Sequence, residues 1–238
     1  MLDLHFDKQI GDHHSPDFPL RLYTKKMSCA ICHVRRPRRF CPGVRGDICS
    51  ICCGTEREVT VDCPLDCAYL QEARKHDRFT PADPRTFPNQ DIRVTEEFLR
   101  EREPLLLALA QTVLNAALST PGATDLDVRE ALDALVRTYR TLESGVYYET
   151  RPSNTVAAGV SSLVQTGIAE FRKAETERSG MTRTRDADIL GLLVFLQRLE
   201  LDNNNGRKRS RAYLDFLRSF FPDQPGEPAP AASSLIVP

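Results

Sequence analysis

Two cysteine pairs spaced as CxxC and one spaced as CxxxC fall within 39 positions of this chain. They are Cys29 with Cys32, Cys49 with Cys52, and Cys63 with Cys67; Cys41 stands alone and Cys53 directly follows Cys52. Thiolates bind zinc at about 2.3 Å, and two of them separated by a tight turn reach one ion together while a second pair completes the tetrahedron. Eight cysteines supply two such sites with none left over. In a reducing compartment, thiols this crowded point to metal rather than to disulfides. The expected cofactor is therefore two Zn2+ ions, held by Cys29, Cys32, Cys41, Cys49, Cys52, Cys53, Cys63 and Cys67.

Other cysteine chemistries fit less well. A catalytic zinc keeps an open position and recruits His, Asp or Glu beside its cysteines, and the sequence has no HExxH and no HxE followed by PCxxC. His33 and His76 lie outside any such spacing. Neither ferredoxin spacing is present, which disfavours an iron–sulfur cluster. The vicinal pair Cys52 and Cys53 suggests redox chemistry, but two ligands serving different ions account for the adjacency without a reactive thiol.

Spacing alone leaves open whether the two sites are sequential or interleaved, and which ion takes Cys52 and which Cys53. The order of the pairs resembles cross-brace and treble-clef zinc modules such as the B-box, MYND and HIT-type fingers. That resemblance implies Cys29, Cys32, Cys49 and Cys52 around one ion, and Cys41, Cys53, Cys63 and Cys67 around the other. The CPGxRGxIC…CCG…CPxxxC core also resembles a zinc-rich signature of uncharacterised bacterial proteins, which implies zinc and no particular activity.

The segment from about Tyr23 to Asp77 has few large apolar residues, and a domain so small buries too little surface to fold unaided. Structural zinc contributes on the order of 10–16 kcal/mol in small finger peptides, enough to hold it together. Asp66 is the expected N-cap of a short helix that starts beside Cys67, where backbone N–H groups stabilise thiolate charge.

The loop between Cys32 and Cys41 carries Arg35, Arg36, Arg38 and Arg39 around Pro37, with Phe40 beside them. Arginine forks suit phosphates and an aromatic ring stacks on bases, so nucleic acid is a candidate partner. From Arg21 to Arg78 there are 12 Lys/Arg against 7 Asp/Glu. Two tetrathiolate zinc sites would cut that surplus to about one positive charge. The alternative is that these arginines neutralise the sulfurs. A second basic cluster, Arg207, Lys208, Arg209 and Arg211, either takes an anion or pairs with an acidic helix face such as Glu96, Glu97, Glu101 and Glu103. The loop Gly145 to Pro152 holds Tyr147 and Tyr148, expected to anchor it onto the helices rather than to act on a ligand.

These candidates need elements to position them. Residues 27–77 form the cysteine module and 78–94, rich in proline, a linker or packing arm. Residues 95–221 show helical spacing throughout. Thr95 opens a first helix that restarts at Pro104 and runs to about Ser119. Thr124 or Asp125 opens a second, closed by Gly145, and Ser153 a third. Asp186 or Asp188 opens the apolar stretch ILGLLVFLQRLEL, the expected central helix, and a last helix covers residues 211–221. The fold class is mainly α: a small two-zinc module followed by a bundle of about five helices. Residues 1–26 have no clear element and read as an extension before Met27, consistent with a translation start at Met27. Residues 222–238 read as a disordered tail.

A net charge of −1 favours no polyanion by itself. The N-terminus lacks the basic start and apolar core of a signal peptide, and no apolar run reaches the roughly 20 residues a membrane span needs. The expected setting is cytoplasmic. The expected function is a non-enzymatic adaptor with a protein partner; the alternatives are a nucleic-acid-binding regulator and an enzyme with its site in the helical domain.

Overall fold

The computed structural model describes residues 28–77 and 82–222. Residues 1–26 and the tail from 223 onward, assigned above to an extension and a disordered segment, lie outside the described residues. What is described is mainly helical, with eight α-helices and one two-stranded hairpin. The cysteine module contains β1 (Arg39–Cys41), β2 (Gly46–Ile48), α1 (Ser50–Glu56) and α2 (Ala68–Arg74). The helical domain contains α3 (Glu96–Glu101), α4 (Glu103–Ser119), α5 (Asp125–Glu143), α6 (Thr155–Ser179), α7 (Asp186–Asn203) and α8 (Ala212–Arg218). No helix among the described residues is long and apolar enough to cross a membrane.

The helix ends follow local chemistry. Thr95 accepts a hydrogen bond from Phe98 N at 3.2 Å, with Glu96 and Glu97 in the first turn to favour the N-terminal dipole. The chain then leaves helical geometry at Arg102 and restarts with Pro104 in the first turn of α4, where a missing N–H costs nothing. That break makes α3 a separate element and gives the domain six helices instead of about five. Thr124 and Asp127 form a capping box on α5, Asn154 caps α6 by accepting from Val156 N at 2.9 Å, and Gly180 ends α6 at a φ of 75°. The last helix is shorter than its sequence pattern indicates and ends at Arg218.

Helices α4, α6, α5 and α7 pack around one core in that order, with α8 lodged against α4, α5 and α7. Helix α7 is the most enclosed: Ile189, Leu190, Leu192, Leu193, Val194 and Leu196 are all buried. An apolar surface on most sides is what a central helix requires. Tyr213 of α8 is fully buried and donates its hydroxyl to Leu196 O at 3.3 Å.

Charged groups inside the bundle are partnered. Arg129 of α5 binds Glu200 of α7 in a two-pronged contact at 2.6 and 3.1 Å, and burial pushes the Glu200 carboxyl up against that pairing. The Asp125 carboxylate accepts from Ser210 Oγ at 2.6 Å and from the backbone N–H groups of Tyr213 and Leu214, so one helix start ties down another. The described part of the linker is a packing arm. Arg198 grips the carbonyls of Asn89 and Ile92 at 2.8 and 3.0 Å, and Arg140 reaches Asp91 and Asn89 at 2.8 Å.

Gly191 of α7 lies against Phe98 of α3. A Cβ placed there would lie 2.8 Å from the ring of Phe98. Gly191→Ala is expected to destabilise the domain by about 1–3 kcal/mol through this overlap. Gly159→Ala, whose nearest neighbour is Thr120 Cγ2 at 3.6 Å, is expected to be neutral or stabilising by up to about 1 kcal/mol. Urea unfolding of the two variants measures the contrast, and equal midpoints would contradict the packing described.

Candidate metal centre

Cys29 and Cys32 occupy a tight turn ahead of β1, while Cys49 and Cys52 flank the start of α1. The turn is closed by His33 N donating to Cys29 O at 2.8 Å and Cys29 N donating to Arg35 O at 2.9 Å. His33 takes a left-handed φ of 55° to allow it. The two segments are joined directly, since Cys49 N donates to Cys29 Sγ at 3.2 Å. Cys49 is the N-cap of α1, and its sulfur accepts from Cys52 N at 3.4 Å. A sulfur thus replaces the usual oxygen cap.

The four sulfurs of Cys29, Cys32, Cys49 and Cys52 all lie within 4.8 Å of one another, and three of the four residues are buried. A tetrahedral ion with sulfur at about 2.3 Å needs sulfurs about 3.8 Å apart, so the group fits a metal ion with little movement. Its electrostatics fit too. Burial opposes ionisation of Cys29, yet backbone N–H groups of Cys32, Cys49 and Ile31 bring that thiol down to about 6. Burial and the neighbouring Cys49, Cys32 and Cys29 push Cys52 up to about 12. One sulfur is prepared for charge while another resists it, a conflict that a divalent cation at the centre removes.

The other four cysteines share the small core of the same module. Cys41 ends β1, Cys53 lies on α1, Cys63 follows the turn after α1, and Cys67 is the N-cap residue of α2, one position later than the expected Asp66. Burial pushes Cys63 up to about 11, against an N–H from Glu58, with Cys41, Glu58 and Cys67 adding like charge. Gly43 presses the hairpin onto this region: a Cβ there would run into the Asp62 carbonyl and lie 2.9 Å from Val61 Cγ1. Cys52 and Cys53 are about 100° apart around α1, as consecutive helical residues must be. Cys52 therefore faces the first group while Cys53 Sγ faces Arg39 and Arg57, at 3.8 and 3.9 Å.

The candidate arginines separate into two kinds. Arg35 is held above its ordinary range chiefly by a hydrogen bond to the Cys49 sulfur. Arg39 combines its contact to Cys53 with a cation–π contact, its guanidinium lying 3.9 Å from the Tyr69 ring centre. Arg36 and Arg38 are exposed, and their side chains make no hydrogen bond or ion pair with a described residue; Arg35 is exposed as well, so its nearness to sulfur is what sets it apart. In the second cluster, Arg207 approaches Glu58 at 3.9 Å and the buried Arg211 pairs with Asp62 at 3.2 Å, while Lys208 and Arg209 are exposed. The acidic partner is thus the cysteine module, not the face of Glu96, Glu97, Glu101 and Glu103. The tyrosine loop also departs from expectation. Its backbone is fixed by Val146 N to Thr141 O at 2.9 Å and Thr150 N to Thr138 Oγ1 at 2.9 Å, whereas Tyr147 and Tyr148 stand 69% and 66% exposed.

Glu58 is the residue sequence reasoning missed. It sits between the two halves of the cysteine array in a left-handed conformation, φ 53°, fully buried. Its carboxylate accepts from Arg74 at 2.7 Å, Asn205 Nδ2 at 2.9 Å and Arg211 N at 3.1 Å, and its carbonyl from Arg209 N at 2.8 Å. Arg74 also pairs with Asp215 at 2.6 Å. Burial works against its charge, but Glu58 and Asp215 outweigh that and hold it above the ordinary range. A glutamate in TEREVTVD has no periodic or motif signature, and only its three-dimensional partners reveal it.

Comparison of the chain with protein-family models, curated proteins and solved structures gave no match. The centre is accordingly defined by its own geometry. Glu58→Ala is expected to cost about 3–5 kcal/mol by stripping Arg74 of one of its two acidic partners and leaving the Asn205 and Arg211 N–H donors buried without an acceptor. Chemical denaturation of the metal-loaded chain tests this; a loss below about 1 kcal/mol, the scale of an exposed pair, would contradict it.

Proposed function

We propose that the protein is a non-enzymatic zinc-binding adaptor, with a two-zinc cysteine module fixed to a helical domain that meets a protein partner. The observation that carries this reading is the close Cys29, Cys32, Cys49 and Cys52 group. Four thiolates complete the tetrahedral shell of zinc and leave no position for substrate or water, the mark of a structural site. The ion supplies binding energy and neutralises the sulfurs; the chain supplies the turn, the α1 cap and the N–H donors that orient them.

The second ion belongs with Cys41, Cys53, Cys63 and Cys67. The two guanidiniums at Cys53 and the Glu58 N–H at Cys63 support this assignment. The described cysteines form no disulfide, which suits a reducing, cytoplasmic setting. A protein partner is supported by the loop of residues 145–152, where Val146, Tyr147 and Tyr148 are exposed on a braced backbone. Tyrosine is enriched at interfaces because it combines apolar area with a polar tip.

Metal analysis of the purified chain is expected to give two zinc ions. Cys29→Ser and Cys63→Ser are each expected to lower the count to one, and the double variant to none. A strong chelator should abolish the protease resistance of residues 28–77. One ion or none in the native protein, or a proteolytic pattern indifferent to chelation, would overturn the reading.

A further inference from the structure

We propose that the groove bordered by Val34, Arg36, Pro37, Arg38, Phe40 and Asp47 binds single-stranded nucleic acid, with a base stacked on Phe40 and flanking phosphates on Arg36 and Arg38. The proposal starts from the division of the arginine loop. Arg39 is occupied at the Cys53 sulfur and the Tyr69 ring, and Arg35 lies close enough to Cys49 to feel its sulfur. Arg36 and Arg38 are exposed, and among the described residues no carboxylate pairs with either. Neutralising thiolate charge therefore accounts for Arg35 and Arg39 and leaves the side chains of Arg36 and Arg38, both on the groove, without a partner among the described residues.

The same groove holds apolar surface that the fold leaves uncovered. Val34 is 84% exposed and Phe40 60% exposed, although the module has little apolar surface to spare for its own core. Phe40 stands on the outer face of the hairpin, directly across from Asp47 in the register, while its neighbour Cys41 and Ile48, the partner of Arg39, are buried. The ring is thus presented by a backbone that the cysteine group holds in place. An aromatic platform beside cationic forks binds unpaired bases of any sequence.

Asp47 selects among polyanions. An ionised carboxylate only accepts hydrogen bonds, so it repels a phosphate but receives base amino and imino N–H groups. Its position opposite Phe40 sets the base toward the hairpin and the backbone toward Arg36 and Arg38. An acidic peptide would satisfy the arginines yet meet Asp47 as a like charge and leave the ring without a planar partner. A duplex keeps its bases stacked internally and has none to offer Phe40.

The inference rests on the metal-held reading only in that the cysteine group shapes the loop. Its test uses the full, zinc-loaded chain with fluorescein-labelled single-stranded RNA and DNA oligonucleotides, read by fluorescence anisotropy across a salt series. Single strands are expected to bind more tightly than a duplex of the same length. Phe40→Ala and Phe40→Leu are each expected to weaken binding about tenfold or more, and Phe40→Tyr to restore it. Replacing both Arg36 and Arg38 by alanine should weaken all sequences alike and flatten the salt dependence by about 0.7 in slope for each phosphate lost. Lys208→Ala, at the other basic cluster, should change nothing. No binding at low salt, binding indifferent to Phe40→Ala, equal affinity for duplex, or equal competition by polyglutamate would each overturn the proposal. Zinc is counted in every sample: a fully loaded chain that fails to bind overturns the groove alone, whereas a native chain without zinc overturns the metal reading.

Discussion

A fully buried carboxylate, that of Glu58, holds the two parts of this protein together. Removing a charge from water is costly, and it is tolerated here because Arg74, Asn205 and the Arg211 N–H supply donors on several sides. The side chain lies in the cysteine module, and the Asn205 and Arg211 donors come from the stretch leading into α8. Arg74, from α2, continues the contact to Asp215 within α8, and Arg218 extends it by pairing with Asp66 at 2.7 Å. The backbone of the same glutamate serves Cys63 with its N–H and Arg209 with its carbonyl. One residue therefore couples the geometry of a sulfur to the seating of a helix, and under the proposed two-zinc reading an ion held by Cys63 would also steady that helix.

The cationic residues follow from this arrangement. Crowded thiolates and buried carboxylates demand positive charge, and Arg35, Arg39, Arg57, Arg74, Arg207 and Arg211 supply it from within the chain. An arginine so engaged is part of the scaffold, since its charge is already met inside the chain. What remains at the surface is a smaller set, and Arg36 and Arg38 stand out in it by lying beside an exposed ring. Counting charge along the sequence cannot make this separation, because the deciding fact is which guanidiniums lie near sulfur.

The helical domain was legible in the sequence wherever a local rule acts alone. Thr95, Thr124 and Pro104 mark helix starts by hydrogen-bonding and steric rules that span only a few residues, and the apolar stretch of α7 could only be an enclosed helix. Each CxxC pair of the first cysteine group was legible for a similar reason, since the turn fixes two sulfurs locally; that the two pairs meet was implied only by the resemblance to cross-brace modules. The mismatches arise where distant contacts decide. Asp66 resembles an N-cap, but its carboxylate is drawn to Arg218 and the cap falls to Cys67. Arg207 and Arg211 seek an acid, and the one that meets them is brought near by the fold, 149 positions upstream of Arg207 in the case of Glu58. Tyr147 and Tyr148 stay exposed because Thr138 and Thr141 already hold the loop through its backbone, leaving the rings free of that duty.

The central claim, that metal in the cysteine module governs the seating of α8 through Glu58, is tested most directly by amide hydrogen exchange before and after zinc removal. The amides of Arg209 and Arg211 are the sensitive positions, because their acceptors are the carbonyl and the carboxylate of Glu58. Zinc removal is expected to release these two amides together with those of residues 50–75, while the interior of α5 and α7 stays protected. If Arg209 and Arg211 keep their protection while the cysteine module exchanges freely, the coupling does not exist.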